Sequence, residues 1–161
     1  MNEIVYELLA LLLCGEQQEK RYILDNVKPE YFEYEALSEF FNVVKELDGS
    51  HAPIDMVSVR EALIKDKDPE VQGRRIRAFC SFFMAISGAE RKLCDEEVRS
   101  QISVFIATIC GKMTYSTPVE YVTKTFIGDY VGRARKEILK EDSWKLRGSP
   151  RTEGPGELAG R

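Results

Sequence analysis

Apolar residues recur at helical spacing along most of the chain, and no stretch shows the strict alternation of a half-buried strand. The first segment, EIVYELLALLLC, places Ile4, Val5, Leu8, Leu9, Leu11 and Leu12 at helical intervals. It predicts a helix with one broad buried face, closed by Gly15. A second helix is predicted over 16–27 and ends before Pro29, because a proline disfavours helix at the residue preceding it. After the turn PEYF, a third helix over about Glu35 to Leu47 turns Leu37, Phe40, Phe41, Val44 and Leu47 inward. Asp48-Gly49-Ser50 supplies the turn that closes it. Pro53 fixes an extended entry to a fourth helix in DMVSVREALIK, where Asp55 is the N-cap and Val59 and Leu63 line up at i, i+4.

The second half continues the pattern. Asp68 caps and Pro69 opens a fifth helix to about Ser87, with Ile76, Phe79, Cys80, Phe83 and Met84 inward and Gly88 as its stop. Asp95 is read as the cap of a sixth helix that buries Val98, Ile102, Phe105, Ile106 and Ile109. Thr117-Pro118-Val119-Glu120 has the form of a capping box and opens a long last helix through about Glu141. The expected fold is all-α, a compact multi-helix bundle with a long C-terminal helix and a flexible tail. The expected division is a helical head over 1–116 with an inserted helix around 69–100, the long helix over 117–144, and a Gly-, Pro- and charge-rich tail or linker over 145–161.

Composition agrees with a folded domain: 161 residues, 43% hydrophobic and 31% charged, which is enough to bury a core. The formal charge of -4 argues against a protein that mainly grips bare nucleic acid. The charge is uneven, however. Residues 1–50 hold 4 basic and 11 acidic residues, whereas residues 121–151 hold 8 basic and 4 acidic. The basic stretch, with Lys124, Arg133, Arg135, Lys136 and Lys140, is either a solvated bundle face or a surface for an acidic partner or phosphate.

Signals for chemistry are absent. There is no GxxxxGK[ST], GxGxxG or GxSxG motif, and the one histidine, His51, lies in the inter-helix turn GSHAP. Cys14, Cys80, Cys94 and Cys110 show no metal-ligand spacing and read mostly as buried apolar groups in a reducing compartment. Asp95-Glu96-Glu97 reads as a first-turn cluster complementing a helix dipole. No catalytic, metal or cofactor-binding residues are assigned. The leucine run is preceded by Glu3 and Glu7 rather than by a basic segment. It is also shorter than the roughly 20 residues a membrane span needs, so the expected setting is cytoplasmic, with no membrane partner.

One ordered set of residues resembles the N-terminal domain of DnaB-type replicative DNA helicases. It begins with the leucine-rich run Leu8 to Leu13. A V-x-P-E-x-F turn follows (Val27, Pro29, Glu30, Phe32), then a helix with Phe40, Phe41 and Leu47. Next comes a G-x-P-I-D-x-V-S-V-x-E-x-L-like element formed by Gly49, Pro53, Ile54, Asp55, Val57, Ser58, Val59, Glu61 and Leu63. Tyr121-Val122-Thr123-Lys124 onward through Arg133 resembles the family's final element. Pro29, Phe32, Phe40, Pro53 and Asp55 are the structural anchors of this pattern. Two departures stand out. The segment between Leu63 and Thr117 is longer than is usual in the family, with an extra helix around Phe79 to Met84, and the motor domain is missing.

The resemblance implies a helical head followed by a helical hairpin, which in that family builds a collar on the ring and docks primase and loader proteins. It therefore implies a protein–protein and oligomerisation module: homo-oligomeric, contacting primase or helicase-loader type proteins, and meeting DNA only through the complex. Helicase activity does not carry over without the motor. The candidate interface residues are Tyr121, Ile127, Tyr130 and Val131, which either pair with a neighbouring helix or complete the chain's own core, together with Arg133 and Arg135. The chain reads either as a fragment of a larger helicase or as a stand-alone relative. The competing function is a stand-alone DNA-binding or helicase-regulating protein of a phage or mobile element, using Arg133, Arg135 and Lys136.

Overall fold

The computed structural model describes residues 2–114 and 116–146. The helices are α1 (Glu3–Cys14), α2 (Gln17–Asn26), α3 (Glu35–Gly49), α4 (Met56–Ile64), α5 (Pro69–Ser87), α6 (Asp95–Gly111) and α7 (Val119–Leu146). A 3-10 turn at Pro29–Tyr31 lies between α2 and α3, and no strand occurs among the described residues. The fold is all-α, as expected. The chain divides into two compact units, Met1–Ile127 and Gly128–Arg161. The assigned tail or linker, 145–161, lies outside the described residues from 147 onward; the last turn of α7 includes positions 145 and 146.

Local chemistry starts these helices. Asn2 accepts from the Ile4 amide at 2.8 Å, Asp55 from Ser58 at 2.8 Å and Asp68 from Glu70 at 2.9 Å, so three helix starts have a side-chain cap. Pro69 sits in the first turn of α5, and Gly88 ends that helix in the left-handed region at φ 69°. Three boundaries differ from the sequence reading. At α6 the cap is Cys94 rather than Asp95. Glu97 reaches back to accept the Cys94 amide at 3.0 Å, so the box forms one residue earlier and Asp95 becomes the first helical residue. At α7 the Pro118 carbonyl accepts from Tyr121 and Val122, while the Thr117 hydroxyl takes a bond from Thr114. At α3, Asp48 and Gly49 stay helical, and the reversal falls on exposed His51 at φ 59°.

In the first unit, α1 is enclosed. Leu8 through Leu13 are six consecutive buried residues, so the helix has no single buried face but is covered all round. Both α2 and α6 pack on it, and α5 packs on α3 and α6. The centre is aromatic. Phe105 of α6 lies 5.4 Å from Phe82, 6.0 Å from Phe83 and 6.3 Å from Phe79 of α5 by ring centroids. It is also 6.5 Å from Phe40 of α3 and 6.1 Å from Tyr6 of α1. Several of these pairs are edge-on, the geometry that ring quadrupoles favour.

Two charged groups are buried in this core among the described residues, Arg75, 1% exposed, and Glu39. The guanidinium of Arg75 is the centre of the cluster. Its Nε donates to Glu39 at 3.3 Å. One terminal nitrogen donates to Asp66 at 2.8 Å and to the Ala62 carbonyl at 3.1 Å, and the other donates to both Glu46 oxygens at 3.3 Å. The cluster joins α3, the end of α4 and α5, and every guanidinium edge is used. Arg74 adds a second pair to Glu39 at 3.2 Å.

Two stability predictions follow from these contacts. Arg75→Ala leaves the buried Glu39 carboxylate and its neighbours short of a counter-charge. The expected loss is about 3–5 kcal/mol in urea unfolding, with Arg75→Lys restoring little because an ammonium cannot span three acceptors. Asp55→Ala is expected to lower stability by about 1 kcal/mol at pH 7. The Ser58 amide bond holds the Asp55 carboxyl below its ordinary value, so the cap contributes above the ordinary carboxylate range and is lost as pH falls through the depressed folded-state value. The melting curves of the native chain and the variant are therefore expected to converge in acid. Curves separated equally at all pH values would refute the cap assignment.

Candidate interaction surface

The anchors of the sequence pattern seat the start of α7. Pro29 opens the 3-10 turn, and its carbonyl accepts the Ser38 hydroxyl at 2.7 Å, which ties the turn to α3. The turn delivers Phe32 between Phe41, at 5.4 Å, and Phe126 of α7, at 4.7 Å. Pro53 leads the chain in extended form to the Asp55 cap, and Lys20 donates to the Ile54 carbonyl at 2.7 Å, fixing that entry against α2. Phe40 is fully buried. Along α7, Val122 and Phe126 are buried, as is Thr123, whose hydroxyl has no hydrogen-bond partner among the described residues.

The six interface candidates divide between the two units. In the first unit, Tyr121 is 59% exposed, whereas Ile127 packs against the core. In the second unit, Tyr130, Val131 and Arg133 are half-buried and Arg135 is exposed. Helical periodicity separates these four. Val131 and Arg135 align with Ile138 at i, i+4 and i+7, while Tyr130 and Arg133 align with Lys140 and Trp144 on another stripe. Ile138, Leu139 and Trp144 are 58%, 66% and 60% exposed, so this half of α7 carries more open apolar surface than the sequence reading gave it.

The cysteines depart from expectation. Only Cys80 is buried; Cys14 and Cys94 are exposed because they stand at helix ends, and Cys110 is intermediate. Burial and the neighbouring Cys14 thiol push Cys110 up to about 12, which keeps it protonated and unreactive at neutral pH. Among the described residues no cluster of His, Cys, Asp or Glu could hold a metal ion, and no helix is long and apolar enough to cross a membrane. Sequence reasoning missed the Arg75 cluster. The available signal was that Arg75 falls in register with Phe79 and Phe82 on the apolar stripe of α5, where a charged residue demands partners.

Residues 2–77 match the family model described as DnaB-like helicase N terminal domain, so this part of the chain is similar to that family. Neither the comparison with curated proteins nor that with solved structures returned a match. The matched segment ends inside α5, yet its own core residue Phe40 packs on Phe105 of α6, outside the match. A fragment ending at residue 77 is therefore expected to lack cooperative thermal unfolding, whereas residues 1–127 unfold in one transition. Circular dichroism and calorimetry of the two fragments test this, and a cooperative 2–77 fragment would contradict it.

Proposed function

We propose that this chain is a protein–protein interaction and oligomerisation module of a replicative DNA helicase. In this reading it forms part of a collar, docks primase or helicase-loader type proteins, and catalyses no reaction itself. The family match over residues 2–77 carries the reading. The second unit supports it: an α-helix with Ile138, Leu139 and Trp144 open on its surface and apolar groups on more than one stripe suits packing against neighbouring helices. The proposed setting is the cytoplasm, and DNA is met through the assembled complex rather than gripped directly.

A second reading draws on the exposed cations Arg135, Lys136 and Lys140 of the same helix, which suit a phosphate backbone. This would make the chain a stand-alone DNA-binding or helicase-regulating protein. Retained binding to duplex or single-stranded DNA at about 150 mM salt, where weak phosphate attraction is screened, favours it.

Light scattering coupled to size exclusion tests the first reading. The native chain is expected to run as a dimer or larger. Tyr130→Asp is expected to shift it toward monomer with its helical content intact, because a charge placed in a helix–helix seam is costly. A monomer at all concentrations would refute the oligomerisation reading. Loss of helix in the variant would place Tyr130 in the chain's own packing instead.

A further inference from the structure

Beyond the long helix, the first unit contains a cleft of about 320 Å3 between α5 and the loop that leads into α6. Its floor is apolar. Ile76, Cys80 and Met84 form one stripe of α5 at i, i+4 and i+8, and Leu93 closes the far side. One weak sulfur contact links the two walls, Cys80 Sγ at 3.8 Å from the Leu93 carbonyl, and within α5 the same sulfur lies 3.8 Å from that of Met84. The loop is also braced from behind. Arg91 pairs with Glu97, one bond at 3.0 Å, and Glu97 accepts the Cys94 amide. That pair holds the Glu97 carboxyl down to about 2. The slot is therefore formed in advance rather than assembled by its occupant.

The rim of the cleft carries positive charge. Arg74, Arg75 and Arg91 are all ion-paired within the chain. Arg77 and Lys92, on the rim of the cleft, are exposed and have no ion pair among the described residues. One carboxylate, Asp95, also reaches the rim. Two unneutralised cations beside an apolar slot of side-chain size match an apolar residue with carboxylates next to it. A nucleic-acid backbone would call for a longer cationic track without an intervening Asp95, and a lipid chain for a longer apolar channel.

We propose that this cleft docks a partner polypeptide by an acidic-apolar motif: a leucine- or phenylalanine-type side chain in the slot, with flanking Asp or Glu carboxylates on Arg77 and Lys92. Met84 supplies an adaptable wall for that side chain. The proposal deepens the reading of the chain as an interaction module. It does not use α7, so absence of self-association and absence of docking here are separate results.

The chain has four methionines, Met1, Met56, Met84 and Met113, and of these Met84 lines the cleft. Carbon-13 labelling of the methionine methyls therefore gives a resolved probe, with Met56 on α4 as an internal control. The peptides titrated are acetylated, amidated EELFEE and its charge-reversed counterpart KKLFKK. EELFEE is expected to shift the Met84 methyl saturably at concentrations of about 1 mM or below while Met56 stays still, and KKLFKK to leave Met84 in place. In the double variant Arg77→Glu with Lys92→Glu, whose fold is checked by circular dichroism, the affinity for EELFEE is expected to fall about 10-fold at low salt. Three results overturn the proposal: an unmoved Met84 at peptide concentrations of about 5 mM, an equal response to both peptides, or unchanged EELFEE affinity in the variant.

Discussion

The ring of Phe105 is the point at which the first unit closes. It lies on α6 and meets Tyr6 from α1, Phe40 from α3 and three phenylalanines from α5. Helices that short are marginal alone in water and hold their shape by burying a common apolar face. One ring shared by four helices makes their burial a single cooperative event. The same ring explains why the family match and the physical unit have different limits. The match stops at residue 77, in the middle of α5, but the surface that α1 and α3 must bury is covered by residues beyond it. A profile of sequence likeness follows what relatives share, whereas the core requires whatever fills the space.

The polar centre complements this. A buried guanidinium adds little net stability, since desolvation offsets much of what its ion pairs return. Its effect is on geometry. Arg75 has acceptors on α3, at the end of α4 and in the α4–α5 connection, and the fully used guanidinium admits one arrangement of those elements. An apolar side chain of similar size would tolerate sliding between α3 and α5. The cluster therefore sets the register of α5, and with it the position of Ile76, Arg77 and Cys80 at the cleft mouth.

What the sequence made legible follows the range of the forces involved. Asp55, Asp68, Pro69 and Gly88 act on amides or backbone angles within a few residues, and their helix ends fell where the local chemistry put them. Phe32, Phe40 and Phe41 were recognisable as core by size and spacing. Features that depend on distant neighbours were not. The enclosure of α1 depends on both α2 and α6 covering it, which a periodicity of mixed leucines does not disclose. The Cys94 cap depended on whether the chain entered α6 one residue sooner, which Arg91 decides by holding Glu97 in place. The interface candidates on α7 were chosen as apolar or cationic residues on a long helix. Periodicity puts those of the second unit on different stripes, and the exposure of Leu139 and Trp144 depends on what packs on the helix, which spacing alone does not disclose.

The distribution of paired and unpaired charge sharpens the functional argument. A chain that is net negative and acidic in its first 50 residues has carboxylates to spare, and in the first unit Arg21 pairs with Asp48 at 2.6 Å, Arg74 and Arg75 with Glu39, and Arg91 with Glu97, while exposed Lys28 and Lys67 have no ion pair among the described residues. Against that surplus, a cation left without a partner is not explained by a shortage of acids. It marks a place where the local sequence supplies none within reach. Where two such cations flank an apolar slot, as Arg77 and Lys92 do, the missing carboxylates are best supplied by another polypeptide, because exposed pairs are weak singly and become specific only when an apolar anchor fixes their register. On α7 the exposed cations Lys136 and Lys140 also line an apolar hollow, with Leu139 and Trp144, but all of its lining comes from one helix. There, open tryptophan, leucine and isoleucine side chains are interleaved with the charge along a helix, a pattern suited to broad helix packing rather than to recognition of a short motif.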